Sequence, residues 1–124
     1  MTPHKVSDLT GSLLARAVAT AAGYRVVLEG SEWGVRLPNG DARSFSEWGW
    51  RPERDWEAGG PIIERERIGL WAGEEPFHGT PAPSGWFAEA VGAKNGCHIK
   101  GYGDTPLIAA MRAYVASKFG ETVE

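Results

Sequence analysis

The sequence predicts an α+β fold: one domain over residues 1–124, in which a small antiparallel sheet packs with two main helices in two layers. Three observations predict it. Apolar residues recur at spacings of three and four near both ends, at about residues 9–22 and 105–119. Short β-branched or aromatic runs punctuated by turn residues fill the middle. The chain has 124 residues, 42% hydrophobic and 23% charged, which suffices for one buried core and leaves no room for two.

Ser7 and Asp8 are residues that cap helices, and Leu9, Leu13, Leu14, Ala17, Val18 and Ala21 after them trace one apolar stripe, which predicts the first helix. Gly23 suits the left-handed conformation that ends a helix, and Tyr24 to Leu28 follows as a β-branched run. Val35–Leu37 and Ala42–Phe45 flank Pro38-Asn39-Gly40, whose Asn-Gly pair accepts the positive φ angles of a tight hairpin turn. Residues 46–60 read as an ordered loop that sets Trp48, Trp50 and Trp56 among Arg51, Glu53, Arg54, Asp55 and Glu57. Pro61 sits where a first helical turn accepts proline, predicting a short helix over about 61–66. Ile68–Ala72 and Trp86–Ala90 read as strands on either side of a Pro/Gly-rich connection at about 73–85, with the length and composition of a mobile flap. The last helix is capped by Asp104, carries Pro106 in its first turn, presents Leu107, Ile108, Met111, Tyr114, Val115 and Phe119 on one face, and closes at Gly120.

The net charge of −3, with both signs scattered, disfavours binding to duplex nucleic acid, which depends on neutralising phosphates. Cys97 is the lone cysteine, so no internal disulfide forms and the chemistry suits a reducing cytosol. The polar first twelve residues have no secretion-signal pattern, and no apolar run approaches the roughly 20 residues of a membrane span. Seventeen glycines and eight prolines without a period point to many turns, not to a linker or collagen.

The blocks Asp55 to Glu66, containing Trp56-x-x-Gly59-Gly60-Pro61-Ile62-Ile63-Glu64, and Thr105 to Ala116, containing Pro106-Leu107-x-Ala109-Ala110-Met111, occur in order after the helix that ends at Gly23. In these the chain resembles the phage NinX-like family, small phage and prophage proteins of unassigned function, over most of its length. The resemblance implies a phage or prophage origin and action in the host cytosol, and it carries no catalytic residue to transfer. Trp48 to Trp50 and the 76–85 connection depart from shorter relatives.

Few residues suggest chemistry. His4, His78 and His98 are scattered over a polar terminus, a Pro-rich loop and a Gly-rich turn, so no metal site and no cofactor is expected. The adjacent Cys97 and His98 do not face each other as nucleophile and base must. Asp55, Glu57, Glu64 and Glu66 alternate with Arg54, Arg65 and Arg67 as in a solvated ion-pair lattice, and Gly101-x-Gly103-Asp104 reads as a helix start whose own carboxylate occupies the free amides. Six tryptophans exceed what one small core needs. Indole faces stack on bases and guanidinium groups fork onto phosphates, so Trp50, Arg51, Arg54, Trp56 and Arg65, with the flexible Gly59 and Gly60, form the expected ligand site. The same residues also suit a core seal or a homodimer interface.

The function expected is therefore a non-enzymatic phage accessory protein, oligomeric and cytosolic, that sequesters a nucleotide-derived small molecule to counter host defence. The alternatives are a protein–protein inhibitor or assembly factor that engages a host protein, and a small nucleotide hydrolase using Asp55, Glu64 or His98.

Overall fold

A computed structural model describes residues 4–73, 85–92, 98–120 and 122–123; most of the expected 73–85 connection, with His78, and Cys97 lie outside the described residues. In chain order the elements are β1 (His4–Lys5), a 3-10 turn (Val6–Asp8), α1 (Gly11–Ala21), β2 (Arg25–Glu29), β3 (Glu32–Arg36), β4 (Ala42–Ser44), α2 (Trp56–Glu66), β5 (Gly69–Ala72), β6 (Trp86–Val91), β7 (His98–Gly103), α3 (Pro106–Phe119) and β8 (Thr122–Val123). The arrangement is α+β, with three helices. The antiparallel strands divide between two three-stranded sheets, β2-β3-β4 and β5-β6-β7, and β1 pairs with β8 to bring the two ends together.

Helix α3 is the hub. It packs on β5, β6 and β7 on one side and on α1 and α2 on the other. Leu107, Ala109, Ala110, Met111, Ala113, Tyr114 and Val115 are all buried, so its apolar residues surround the helix instead of forming one stripe, as a helix covered on several sides requires. Its small residues decide how closely it lies on the sheet. A Cβ added at Gly101 of β7 would stand 2.5 Å from both the Ala109 carbonyl oxygen and the Ala113 nitrogen, so strand and helix backbones are in direct contact there.

Helix α1 buries Leu14, Ala15, Val18 and Ala19, a stripe displaced from the expected one, because Leu13 faces outward. It begins at Gly11, two residues past Leu9, because Val6–Asp8 form a separate turn that buries Val6. It ends at Ala21, and Gly23, just past the cap residue Ala22, turns the chain away with a φ of +80°. Val18 and its neighbours meet β2 and β3, so α1 lies between α3 and the β2–β4 sheet.

Four local expectations are corrected. The helix expected at 61–66 starts at Trp56: the Asp55 carboxylate accepts from the Glu57 amide at 3.0 Å, capping the turn and leaving Pro61 in the interior. Burial of Gly59 and Ile62 favours that longer helix over the break proline invites. The region read as a Gly-rich turn around His98 and Gly101 is strand β7, held by six register pairs with β6. The cap of α3 is Thr105, whose hydroxyl accepts from the Ile108 amide at 3.1 Å, not Asp104. The hairpin strands are Glu32–Arg36 and Ala42–Ser44, slightly shifted from the expected runs.

Candidate functional site

The expected ligand residues do not form one open site, although Trp50 and Arg65 both meet Tyr24. After β4 the chain folds back, with the Gly49 amide donating to the Ser46 carbonyl at 2.9 Å and the Trp50 amide to the Ser44 carbonyl at 2.8 Å. This return drives the Trp50 indole edge-on against Tyr24 (5.8 Å between centroids) and Phe45 (6.3 Å). Trp50 is left only 6% exposed, so its ring faces are closed to a ligand. Arg51 points inward with it. Its Nε and one terminal nitrogen both reach Glu53 Oε2, at 2.8 and 2.7 Å, in a partly buried pair that leaves the buried Glu53 Oε1 without a partner among the described residues.

Arg54 stays exposed and donates to the Glu47 carbonyl. Gly59 is buried, and a Cβ there would collide with the Pro52 carbonyl oxygen, so this glycine serves helix packing and not flexibility. Arg65 lies nine residues along α2 from Trp56, about 13 Å at 1.5 Å per residue, and bonds Glu66 (3.0 Å) and the Tyr24 hydroxyl (3.3 Å). The Tyr24 bond is the main cause holding its guanidinium above the ordinary arginine value. What remains near the surface is Trp48, 89% exposed, and Trp56, 54% exposed, with Arg54 between them in the chain.

A different pairing of the same chemistry arises elsewhere. The β2–β3 hairpin folds onto α1 and lays the Trp33 ring under the Arg16 guanidinium, 4.7 Å from its centroid. Beside this stack, between the start of α1 and the β3–β4 sheet, is a cleft of about 230 Å³ edged by Ser12, Ser31, Glu32 and Ser46 and floored by buried Phe45. The Phe45 amide donates to the Trp33 carbonyl at 3.2 Å, which ties floor to wall. A second hollow of about 220 Å³ lies against β3 and includes Trp33, Gly34, Arg43 and Ser44. Sequence reading missed this pair. Arg16 belongs to the polar side of the first helix and Trp33 to a turn-flanked strand, and no spacing rule links residues seventeen positions apart.

A third aromatic group crosses the β5–β7 sheet in register, Trp71 opposite Phe87 opposite Tyr102, with centroids 5.1 and 5.5 Å apart. Since Gly101 faces α3, strand alternation places this row on the other face.

The acid–base candidates are occupied or apart. Asp55 caps α2, Glu66 pairs with Arg65, Glu64 is exposed, and His98 pairs with Glu89 on the β5–β7 sheet. Among the described residues no three His, Cys, Asp or Glu side chains gather as metal ligands, and no helix is long and apolar enough to cross a membrane.

Comparison with curated proteins returns no match to the chain. The family model described as "Bacteriophage P22, NinX" matches residues 5–118, which span both blocks and all three helices apart from the last residue of α3. With nearly its whole length matched, the chain belongs to the bacteriophage P22 NinX family.

Proposed function

We propose that this protein is a non-enzymatic phage accessory protein that acts in the host cytosol, as an oligomer, by sequestering a nucleotide-derived small molecule and so blunting a host defence signal. The observation that carries the reading is the Arg16 guanidinium stacked on Trp33 beside a 230 Å³ cleft, because indole and guanidinium planes are the surfaces on which bases stack and guanidinium edges bind phosphate. Exposed Trp48 and Trp56 flanking Arg54 offer the same chemistry within the 48–67 segment. Family membership supports the phage setting and is silent on the ligand. Sequestration fits the site chemistry better than turnover, since Asp55, Glu53 and Glu66 are committed to a cap and to ion pairs and Glu64 stands exposed at the surface.

The test is to incubate the protein with a panel of nucleotides, remove free ligand, and denature by heat. Release of intact nucleotide in stoichiometric amount supports sequestration. Release of a cleaved product refutes it in favour of a hydrolase. A second reading, capture of a host protein, is favoured by the nearly full exposure of Trp48, an indole that a partner surface would bury. A stoichiometric protein co-purifying from infected cells, with no small molecule present, would select it.

A further inference from the structure

We propose that the cleft between the start of α1 and Trp33 is a mononucleotide site, in which Arg16 and the α1 N-terminus receive the phosphate and the Trp33–Arg16 stack receives the base. The inference rests on the nucleotide-binding reading and gives it a location outside the 48–67 segment.

Contact with the indole holds the guanidinium at the cleft: Arg16 Cζ stands 4.7 Å from the Trp33 ring centroid, and a guanidinium carries the forked N–H donors that match a phosphate. Ser12 lies one helical turn before Arg16 and so shares its face of α1, and both line the cleft. The start of α1 adds to the attraction. Thr10 occupies the cap position with its backbone extended, and its side chain bonds none of the first-turn amides, so the positive end of an eleven-residue helix is left unmasked by a cap.

The other wall selects the rest of the ligand. Base rings stack on indoles and equally on guanidinium planes, and Trp33 is 43% exposed, so the existing stack can be extended by one ring. Glu32 stands in the same cleft, where a carboxylate accepts hydrogen bonds from ribose hydroxyls and repels additional phosphates, favouring a monophosphate over a di- or triphosphate. At about 230 Å³ the cleft is smaller than the roughly 300 Å³ at which pockets that enclose a drug-sized ligand begin, so it would hold part of one nucleotide and leave the rest in solvent.

Calorimetric titration of the full chain with AMP, adenosine and inorganic phosphate separates the contributions. AMP should bind more tightly than either half. Arg16→Gln should lower AMP affinity about tenfold or more, the worth of a charge-assisted phosphate contact, and affect adenosine less. Arg16→Lys should recover only part of the loss, because an ammonium keeps the charge without the stacking plane. Trp33→Ala should weaken AMP and adenosine together, with Trp33→Phe restoring most of the binding and guarding against an effect on folding. Unchanged AMP affinity in Arg16→Gln and Trp33→Ala would overturn the site. If Trp48→Ala or Trp56→Ala abolished AMP binding in their place, the nucleotide reading would survive with its contact elsewhere. Failure of the wild-type chain to bind any of the three at millimolar concentration would overturn the mononucleotide site, and failure to retain any member of the nucleotide panel would overturn the sequestration reading as well.

Discussion

Adjacent glycines in α2 should respond unequally to the same substitution. Gly59 and Gly60 are both interior to the helix Trp56–Glu66, so replacing either by alanine gains about 1 kcal/mol of helix propensity. At Gly60 the nearest atom to an added Cβ beyond the chain neighbours is Trp56 Cε3 at 4.0 Å, an ordinary contact, so the gain is opposed only by the place before Pro61, where a residue with a Cβ is disfavoured in helical conformation. At Gly59 the methyl group would run into the Pro52 carbonyl oxygen and come within 2.7 Å of Leu107 Cδ2. Pro52 is itself fully buried and Leu107 belongs to the first turn of α3, so relief requires α2 to move off both. Such overpacking costs about 1–3 kcal/mol or somewhat more, and a clash with backbone belongs at the upper end, leaving Gly59→Ala destabilised by roughly 1–2 kcal/mol net. Urea unfolding followed by tryptophan fluorescence should give a midpoint close to wild type for Gly60→Ala and a clearly lower one for Gly59→Ala. In thermal melts the two variants should differ by about 4 °C or more. Equal destabilisation by both would refute the reasoning, because it would mean a flexible Gly-Gly loop in place of a packed helix.

Other outcomes follow from the same geometry. Trp50→Ala should cost about 3–5 kcal/mol, as loss of a buried indole does, whereas Trp48→Ala should stay within about 0.5 kcal/mol; both are read by chemical denaturation. Thr105→Ala should cost about 1 kcal/mol through the lost cap, and Asp104→Ala much less, which reverses the assignment made from sequence. Burial first, and then the negative charge of Glu66, hold the Tyr114 phenol above its ordinary value of 10.0. The folded state therefore keeps that proton when the unfolded chain releases it, so stability falls as pH rises above about 10, and Tyr114→Phe should flatten this decline in alkaline denaturation curves. A decline of the same steepness in the variant would remove Tyr114 from the account.

Much of the architecture was legible locally. The existence of helices α1 and α3, the Asn39-Gly40 hairpin, Gly23 as a terminator and the runs that became β2, β5 and β6 follow from interactions within a few residues, which the order of side chains displays directly. Strand β7 was not, because Lys100-Gly101-Tyr102-Gly103 has the composition of a turn, and only the need for small residues against α3 explains why a strand carries glycine at 101. Helix α2 was half legible: Ile62 and Ile63 marked it, but its passage through Pro61 depends on the Asp55 cap and on packing against Pro52 and α3.

The sequence by itself determined the α+β class, the helical ends, the membership of the NinX family and the presence of more indole and guanidinium groups than a small core consumes. Tertiary structure alone decided which of those groups meet and which reach solvent. Trp48 and Trp50 are two residues apart, yet the return of the chain onto β4 buries one and leaves the other outside. Arg16 and Trp33 are distant in sequence, yet the β2–β3 hairpin stacks them. Exposure and partnership are set by surfaces contributed from remote parts of the chain, whereas helix and strand preference is set by neighbours, and only the latter is written along the sequence.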